Sequence, residues 1–334
     1  MATQAMIPNH KRITALSAAI AMLATLAFAQ EPTFRSQSNV VLVPALVKGE
    51  NGKIVYGLDA KDFILEDNGV EQSVQMDEAA EAQPVSLIVL IQIGRRADHE
   101  LPRMKGLASM LDPILALEQN EAAIITFDSG FHLVQDFTNN SDTIERTLQR
   151  LQPGDGGAAI LDGLKYSANL LSKLPKDRQR VILLISETRD HGSRMSNVED
   201  VVRTIGDSNI VVYSLAFAPG LSNILDTGRG SNQDEMAPGP DLLAPFVLAA
   251  NAMRKNVSKT VAAMTGGEYS LFTSRKNFET YVNSFDNHLH SRYLLSFAPK
   301  DPKPGLHDIR VRLRQPLPAV VLSRSSYYAE ATNP

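Results

Sequence analysis

The chain has 334 residues, of which 43% are apolar and 21% charged, so it can bury a sizeable core and is not a disordered scaffold. It carries 33 Lys and Arg residues against 37 Asp and Glu residues, a net charge of -4, without a basic run, which argues against nucleic acid as a partner. It contains no cysteine, which excludes disulfides, thiolate metal sites and a cysteine nucleophile.

The first 29 residues are typical of a secretory signal peptide. Lys11 and Arg12 form a short basic region, residues 13–26 are mostly apolar, and residues 27–29 have the A-x-A pattern of a cleavage site. A membrane anchor needs about 20 apolar residues, and this run is shorter. We therefore expect cleavage before Gln30, export to the periplasm or the cell exterior, and no membrane span in the mature chain.

Short β-strand patterns lie at both ends of the mature chain. The N-terminal patterns are at residues 40–47 and 63–69, with turn signals between them. The C-terminal patterns are at residues 293–297, 308–313 and 319–322. Because about 45 residues make only a marginal core alone, we predict one small β-sandwich-like domain formed by residues 34–80 together with residues 291–330.

The central part alternates between buried strands and amphipathic helices. Nearly continuous apolar runs, as strands covered on both faces require, occur at residues 85–91, 122–127, 181–185 and 210–217. Helical patterns occur at residues 101–117, 144–151, 160–174, 198–205 and 274–289. This order predicts an α/β domain over residues 84–290, with a doubly wound, mostly parallel, Rossmann-like sheet inserted in the β domain.

Local signals add detail to this α/β domain. A capping box from Ser196 to Glu199 predicts the start of one helix, Ser274 predicts the start of another, and Pro113 predicts a bend in the 101–117 helix. Residues 219–240 are rich in Gly, Ser, Asn, Asp and Pro, which predicts a mobile surface loop.

No motif in the chain is a strong signature of catalysis. The glycine-rich segment 154–157 precedes a helix but lacks the Lys-Ser/Thr ending of a P-loop. Asp190 and His191 follow a strand beside Ser186 and Glu187, but sequence neighbours at a strand end point in different directions. The seven histidines show no metal-binding spacing, so we expect them to be solvated. We therefore expect no catalysis and no cofactor.

The order of these elements resembles the von Willebrand factor type A (VWFA) domain family: a buried strand followed by a loop, a Gly-Gly-x-Ala loop opening a helix, and a strand ending in an acidic loop. Further segments are similar to secreted acidobacterial VWFA-related proteins, namely residues 55–63 (VYGLDAKDF), Thr265-Gly266-Gly267 and residues 324–328 (RSSYY). The resemblance covers about residues 34–330. It implies a fold whose usual work is to hold another macromolecule.

In that family the ligand site is a metal-ion-dependent adhesion site, built from Asp-x-Ser-x-Ser, a Thr in a second loop and an Asp in a third. The residues at those positions here are Gln92, Gly94 and Arg96, then Ala158, then Glu187. Only one carboxylate remains, and Arg95 and Arg96 bring positive charge to the place of the cation. The resemblance therefore implies a degenerate site, and we expect no bound Mg²⁺.

We therefore expect a non-enzymatic extracytoplasmic protein-binding or assembly module that uses the upper edge of the sheet without metal. Its candidate ligand-binding residues are Gln92, Gly94, Arg95, Arg96, Ala158, Glu187 and Asp190. The partner is a protein or other macromolecule, and an acidic one if the Arg96 guanidinium replaces the cation. Two alternatives stay open: metal-dependent adhesion through Asp155, Asp190 and Glu187, and a hydrolase using Asp190 and His191.

Overall fold

The computed structural model describes residues 40–77, 83–94, 97–104, 106–217, 244–300 and 303–330. The signal peptide expected at residues 1–29, the loop expected at residues 219–240, and Arg95 and Arg96 lie outside the described residues. Across the part of the chain that the structure describes, no helix combines the length and the apolar character needed to cross a membrane.

The chain folds into strands joined by helices in the following order. The strands are β1 (Val41–Gly49), β2 (Phe63–Asp67), β3 (Val70–Glu71), β4 (Gln75–Asp77), β5 (Val85–Gln92), β6 (Glu121–Phe127), β7 (Phe131–Thr138), β8 (Gln179–Ser186), β9 (Ile210–Phe217), β10 (Tyr269–Phe272), β11 (Tyr293–Phe297), β12 (Gly305–Leu313), β13 (Ala319–Ser323) and β14 (Ser326–Ala329). The helices are α1 (Ala97–Glu100), α2 (Leu107–Leu115), α3 (Ser141–Gln149), α4 (Ile160–Ser172), α5 (Val198–Asp207), α6 (Ala244–Lys255), α7 (Val257–Thr265) and α8 (Arg275–His290), and short 3-10 turns cover Ala60–Asp62 and Leu101–Met104.

The central sheet has six strands in the order β10-β9-β8-β5-β6-β7. All neighbours pair in parallel except β7, which is antiparallel to β6. Strand β5 is buried along its whole length, because apolar cores cover both faces of the sheet. One core includes residues of α2 and α8, and the other includes residues of α4, α5, α6 and α7. The predicted mostly parallel α/β fold class is therefore confirmed.

The terminal strands form two four-stranded sheets, with the orders β13-β1-β11-β4 and β14-β12-β2-β3. Strand β1 pairs antiparallel with β11 and β13, and β2 pairs antiparallel with β12. Alternate side chains of these strands, such as Val43, Leu65 and Phe297, share one buried core, as in a sandwich. Strands near the two ends of the described residues therefore pair in the same sheets, while the division into two domains stays a prediction.

Some helix boundaries differ from the expectation. The helix expected at residues 101–117 is interrupted by the 3-10 turn, and α2 begins only after Gly106, whose φ of 90° lies in the left-handed region that favours glycine. Pro113 lies inside α2. The structure also contains β7, α6, α7 and β10, which we did not predict from the sequence.

The helix starts show how side chains satisfy backbone donors. At α5 the N-cap is Asn197, one residue later than expected: its side chain accepts a hydrogen bond from Asp200 N (2.8 Å), and the Asp200 carboxylate accepts one from Asn197 N (3.4 Å). The capping-box expectation was thus right in kind and wrong by one residue. The expected Ser274 cap of α8 is confirmed, because its hydroxyl accepts from Asn277 N (3.2 Å).

Candidate functional site

The candidate residues lie at the edge of the six-stranded sheet where the parallel strands end, which we call the upper edge. Strand β5 ends at Gln92, and Glu187 directly follows β8. Ala158 stands just before α4, and an isolated β-bridge joins it to His191 in the loop after β8. Because carboxyl ends of parallel strands share one edge, the structure brings these loops together.

Gln92 and Glu187 form a reciprocal hydrogen-bonded pair. Glu187 N donates to Gln92 Oε1 (2.8 Å), and Gln92 Nε2 donates to Glu187 Oε1 (3.2 Å). Gln92 has no solvent exposure and Glu187 only 2%. A buried polar group is costly unless it is hydrogen-bonded, so each side chain stabilises the other's burial. The side-chain amide of Gln92, which stands at the position of the family's first aspartate, is therefore hydrogen-bonded inside the protein.

Gly94 sits where no side chain fits. A Cβ built on Gly94 would lie 2.2 Å from Gly157 O and 2.8 Å from Asp128 Cβ. The neighbouring backbone is fixed, because Ile93 N donates to Phe127 O (2.8 Å) and Ile93 O accepts from Gly154 N (2.8 Å). A serine at this family position would require the loops to move.

Ala158 and Asp190 hold the loop after β8 against the start of α4. Ala158 N donates to His191 O (2.7 Å), and His191 N donates to Ala158 O (2.8 Å). The Asp190 carboxylate accepts from Leu161 N (3.1 Å) and from the Ser193 hydroxyl (2.6 Å). Ala158 has no solvent exposure, so the position of the family threonine is enclosed by backbone.

Three aspartates that organise these loops also lie at this edge. Asp128 accepts from Gly130 N (3.1 Å) and Asp155 N (3.2 Å). Asp155 in turn accepts from the backbone and hydroxyl of Ser129 and from Gly157 N, and the Ser129 hydrogen bond holds the pKa of Asp155 below its usual value. These contacts are of the kind that short polar side chains make in turns. Sequence reasoning missed Asp128, although Asp128-Ser129-Gly130 is a turn signal.

The third of these aspartates is Asp162, which lies in the first turn of α4 and is 3% exposed. Its carboxylate accepts from Arg194 N (2.8 Å) and Met195 N (3.1 Å). It therefore fixes the outer part of the loop after β8. Among the described residues, no group of three or more His, Asp or Glu side chains is placed so that it could hold a metal ion.

The side chains expected for a hydrolase have separate partners. The Ser186 hydroxyl is buried and donates to Glu187 O (2.7 Å). Asp190 binds the start of α4, as described above, while His191 is exposed and pairs through its backbone. A nucleophile, a base and an orienting group must contact one another in a triad, and these contacts instead stabilise the loops.

Exposed side chains of several kinds surround this packed edge. We call Asp155, Arg189, His191, Arg194 and Met195, all exposed, the upper-edge surface. Met195 is 73% exposed, the largest exposed fraction among the large apolar side chains of the described residues. Both arginines belong to the loop after β8, and the Arg194 charge contributes to lowering the pKa of Asp155. An apolar side chain among charged ones is suited to contact with another macromolecule.

Residues 75–190 match the family model of the von Willebrand factor type A domain. No curated protein matches the chain significantly.

Three solved structures are similar to the chain at low identity. The protein BatB from Bacteroides thetaiotaomicron is 12% identical with a TM-score of 0.41, over 61% of this chain and 98% of that one. The PilB minor pilin from Streptococcus sanguinis is 11% identical with a TM-score of 0.44, over 63% of this chain and 62% of that one. The vWF domain of the type V pili tip protein Mfa5 from Porphyromonas gingivalis is 10% identical with a TM-score of 0.42, over 61% and 94%. At this level of similarity they add no functional information.

Proposed function

We propose that the chain is a non-enzymatic extracytoplasmic protein-binding or assembly module of the secreted acidobacterial VWFA-related type. The match of residues 75–190 to the family model of the von Willebrand factor type A domain supports this proposal. It binds its partner through the upper edge of the six-stranded sheet, without a metal ion. The signal-peptide pattern at residues 1–29 supports export. The mass of the N-terminal peptide of the exported protein tests this, with Gln30 as the expected first residue.

The buried Gln92–Glu187 pair is the observation that carries the proposal of metal independence. Mg²⁺ prefers several oxygen ligands in octahedral geometry. Here one carboxylate is paired with an amide at 3.2 Å, and the Gly157 carbonyl leaves no space for a side chain at Gly94. The Asp190 carboxylate accepts hydrogen bonds from Leu161 N and from the Ser193 hydroxyl. These contacts also disfavour a relocated metal site built from Asp155, Asp190 and Glu187.

The upper-edge surface supports a protein as the partner. Met195 offers an exposed apolar contact, and exposed apolar side chains within a charged rim are typical of interfaces. Arg189 and Arg194 add fixed positive charge in the same loop, and a guanidinium binds carboxylates in a planar, bidentate manner. We therefore propose an acidic protein partner. The contribution of Arg95 and Arg96 to its binding is part of this proposal.

Affinity capture from the exported fraction of the native organism tests the proposed edge. The bait is the full mature chain, and its variants are Met195→Ser and the matched control Leu117→Ser. Leu117 is also an exposed large apolar residue, 55% exposed, but it precedes β6 and lies at the opposite edge of the sheet. We expect the captured partner to be lost with Met195→Ser and kept with Leu117→Ser, since a central apolar contact contributes about 1–2 kcal/mol or more. Equal capture by both variants would contradict the proposal.

Thermal unfolding with and without divalent ions tests metal independence. A ligand at 100 times its Kd adds about 2.7 kcal/mol to stability, which is a readily measured rise in Tm. We expect Mg²⁺, Mn²⁺ and Ca²⁺ at millimolar concentration to leave the Tm unchanged. A saturable rise with any of these ions would show that a metal site persists.

A further inference from the structure

A cavity of about 810 Å³ lies below the opposite edge of the six-stranded sheet. Gln179 and Ile210, the first residues of β8 and β9, line it together with Leu42 of β1 and Leu294 of β11. The cavity therefore separates the amino ends of the parallel strands from one of the four-stranded sheets. Its volume is in the range of pockets that bind small organic molecules, and it is remote from the upper edge.

Positive charge predominates among the residues that line this cavity. Six of them are cationic, namely Lys176, Arg178, Arg180, Arg203, Arg292 and Arg324, and three are carboxylates, namely Asp77, Asp207 and Glu330. Among the cations, Arg178 already pairs with Glu121 (3.2 Å), which does not line the cavity. Within the described residues, Arg180 and Arg292 have no carboxylate within 4.0 Å, although Arg292 is only 9% exposed.

Both of these arginines hold a buried N–H group that has no hydrogen-bond partner in the part of the chain that the structure describes. In Arg292, Nε donates to Tyr213 Oη (2.6 Å) and Nη1 to Gly266 O (2.5 Å), but Nη2 is buried and unpartnered. In Arg180, Nη2 donates to Leu174 O (2.6 Å), while Nε is buried and unpartnered. Burial lowers the pKa of Arg180. A buried, unsatisfied charged donor is rare in folded proteins, and a bound anion is one of its ordinary explanations.

The opposite wall of the cavity is apolar. Leu42 and Pro44 lie on the face of β1 that points away from the sandwich core, because the alternate residues Val43 and Ala45 are the buried ones. Leu294 of β11 pairs with Pro44 in the sheet and continues this face. A compact inorganic anion would contact only the arginines, whereas a ligand with an apolar body would contact both walls.

We propose that this cavity binds an amphipathic anion, a molecule with an apolar chain and a terminal carboxylate or phosphate group. Its acidic group pairs with the guanidinium groups of Arg180 and Arg292, which line the cavity, and its apolar chain packs on Leu42, Pro44 and Leu294. This site is independent of the partner site at the upper edge.

Isothermal titration calorimetry of the full mature chain tests this site with four probes of defined chemistry. Decanoate and decyl phosphate carry the two acidic groups on the same apolar chain, decanol carries the chain without charge, and inorganic phosphate carries the charge without the chain. We expect saturable binding of decanoate, decyl phosphate or both, and weaker binding of decanol and inorganic phosphate. The better of the two acidic probes identifies the group that the site prefers.

Substitutions then assign the binding to the two arginines. Arg180→Gln and Arg292→Gln should each raise the Kd of the acidic probe by about tenfold or more, since losing a hydrogen bond to a charged group costs about that factor in affinity. Arg146→Gln, an exposed arginine of α3 outside the cavity, is the matched control and should bind like the wild type. If Arg292→Gln does not fold, Arg180→Gln decides the result, because the Arg180 side chain donates to backbone carbonyls at the end of α4 and not to the core.

Several results would overturn the proposal. One is decanol binding as tightly as decanoate, which would show that charge is not recognised. Another is inorganic phosphate binding as tightly as decyl phosphate, which would show that the apolar wall contributes nothing. Unchanged affinity in a folded Arg180→Gln variant, or the absence of binding by both acidic probes, would also exclude this site.

Discussion

Glu268 joins three separate segments of the chain through one carboxylate. Lys48 Nζ lies 2.6 Å from its Oε1, and His288 Nδ1 contacts its Oε2. Burial by itself raises the pKa of Glu268, but the hydrogen bonds from His288 and Lys48 outweigh it and lower the pKa to about 2. The ionised form is therefore stabilised in the folded state relative to the unfolded chain.

This depressed pKa predicts a specific acid sensitivity. A carboxylate whose pKa is lowered on folding stabilises the protein above its unfolded pKa, here 4.5, and loses that contribution as the pH falls towards 2. We expect Glu268→Gln to cost on the order of 3 kcal/mol at pH 7, and the difference from the wild type to shrink between pH 5 and pH 2. Urea unfolding at a series of pH values measures this. The control is Glu279→Gln, an exposed i,i+4 partner of Arg275 that should change stability by less than about 0.5 kcal/mol. Parallel pH curves for wild type and Glu268→Gln would contradict the argument.

Gln92→Asp tests the buried pair at the upper edge. The shorter, charged side chain loses the reciprocal bonds to Glu187 and places a second carboxylate beside it, which is unfavourable in a buried site. We expect a loss of about 2 kcal/mol or more in the free energy of unfolding. Adding Mg²⁺ should not restore it, because Gly94 and Ala158 still offer no ligand. Recovery of stability that saturates with Mg²⁺ would instead mean that one restored carboxylate suffices for a metal site.

Histidine is the residue type for which sequence reasoning was least successful. We expected the histidines to be solvated, but His307 is 2% exposed, and its Nδ1 lies 2.7 Å from Asp67 Oδ1 and 3.0 Å from Tyr327 Oη. The His288 side chain is also largely enclosed, at 13% exposure. The side chains that these histidines contact here, those of Asp67, Tyr327 and Glu268, lie at least 20 positions away in the sequence, so spacing in the chain gives no sign of them.

The Thr265-Gly266-Gly267 turn is an element whose sequence follows from close backbone contacts. Gly266 ends α7 with a φ of 80°, a common role for glycine after a helix. Gly267 lies against β9, where a Cβ would be 1.9 Å from Val212 O. The Thr265 hydroxyl accepts from Val212 N (2.9 Å). The turn that carried part of the family resemblance thus has a structural explanation.

Gly267→Ala should therefore be strongly destabilising. The added Cβ cannot fit unless the turn separates from β9, and we expect a loss of about 3 kcal/mol or more in the free energy of unfolding. Gly156→Ala is the matched control, because a Cβ there meets nothing within 4 Å and its φ is not in the left-handed region. Chemical unfolding of both variants measures the difference. Similar stability for the two would contradict the close approach seen here.

Elements whose apolar residues follow a regular pattern could be predicted from the sequence, and elements whose apolar pattern is interrupted could not. Strands β5, β8 and β9 are continuous apolar runs and lie where the sequence placed them. Strand β7 pairs with β6 through register shifts near Ile124, and such bulges break the alternation by which a strand is recognised. Helices α6 and α7 are separated only by Asn256, which caps α7 by accepting from Lys259 N (2.8 Å).

At the scale of the whole molecule, Arg324 connects the C-terminal strands to the six-stranded part. It is 4% exposed, and its guanidinium donates to Ser326 O (2.7 Å), to Asn209 Oδ1 (3.1 Å) and to Gly206 O. Burial lowers its pKa to about 10, so it still carries its charge at neutral pH. One side chain thus satisfies acceptors of two distant segments.

Arg324→Lys should weaken this connection although the charge is kept. An ammonium group has no planar fork and cannot reach the same acceptors, so buried carbonyls lose their donors at about 1–3 kcal/mol each. We expect a loss of about 3 kcal/mol in stability and an earlier thermal transition. The control is Arg312→Lys, an exposed arginine paired with Glu66 (3.1 Å), which should be nearly neutral. Equal melting temperatures for the two variants would show that Arg324 does not stabilise the molecule.

The upper edge could be located from the sequence, and the cavity below the sheet could not. The resemblance to the VWFA family placed Gln92, Ala158 and Glu187 at this edge, because each lies at the end of a recognisable strand or just before a recognisable helix. The arginines of the cavity come from separate parts of the chain, and nothing in the sequence around Arg180 or Arg292 indicates that they approach one space. Sites built from distant segments depend on the tertiary fold, which local patterns do not specify.

The pairing of β1 also constrains the order in which the molecule can fold. Val41 pairs with Phe297 and Ala45 with Ser323, which lie 256 and 278 positions apart in the sequence. Closing these ladders is therefore slow and costs loop-closure entropy. The strands of the six-stranded sheet lie between these partners in the chain and have shorter loops to close. Strand β2 pairs with β12 over a similar separation, as between Asp67 and Ile309. We therefore expect β1 and β2 to dock last, after the central sheet has formed. Mutations in β11 or β13 should then slow the final refolding phase without changing the earlier ones.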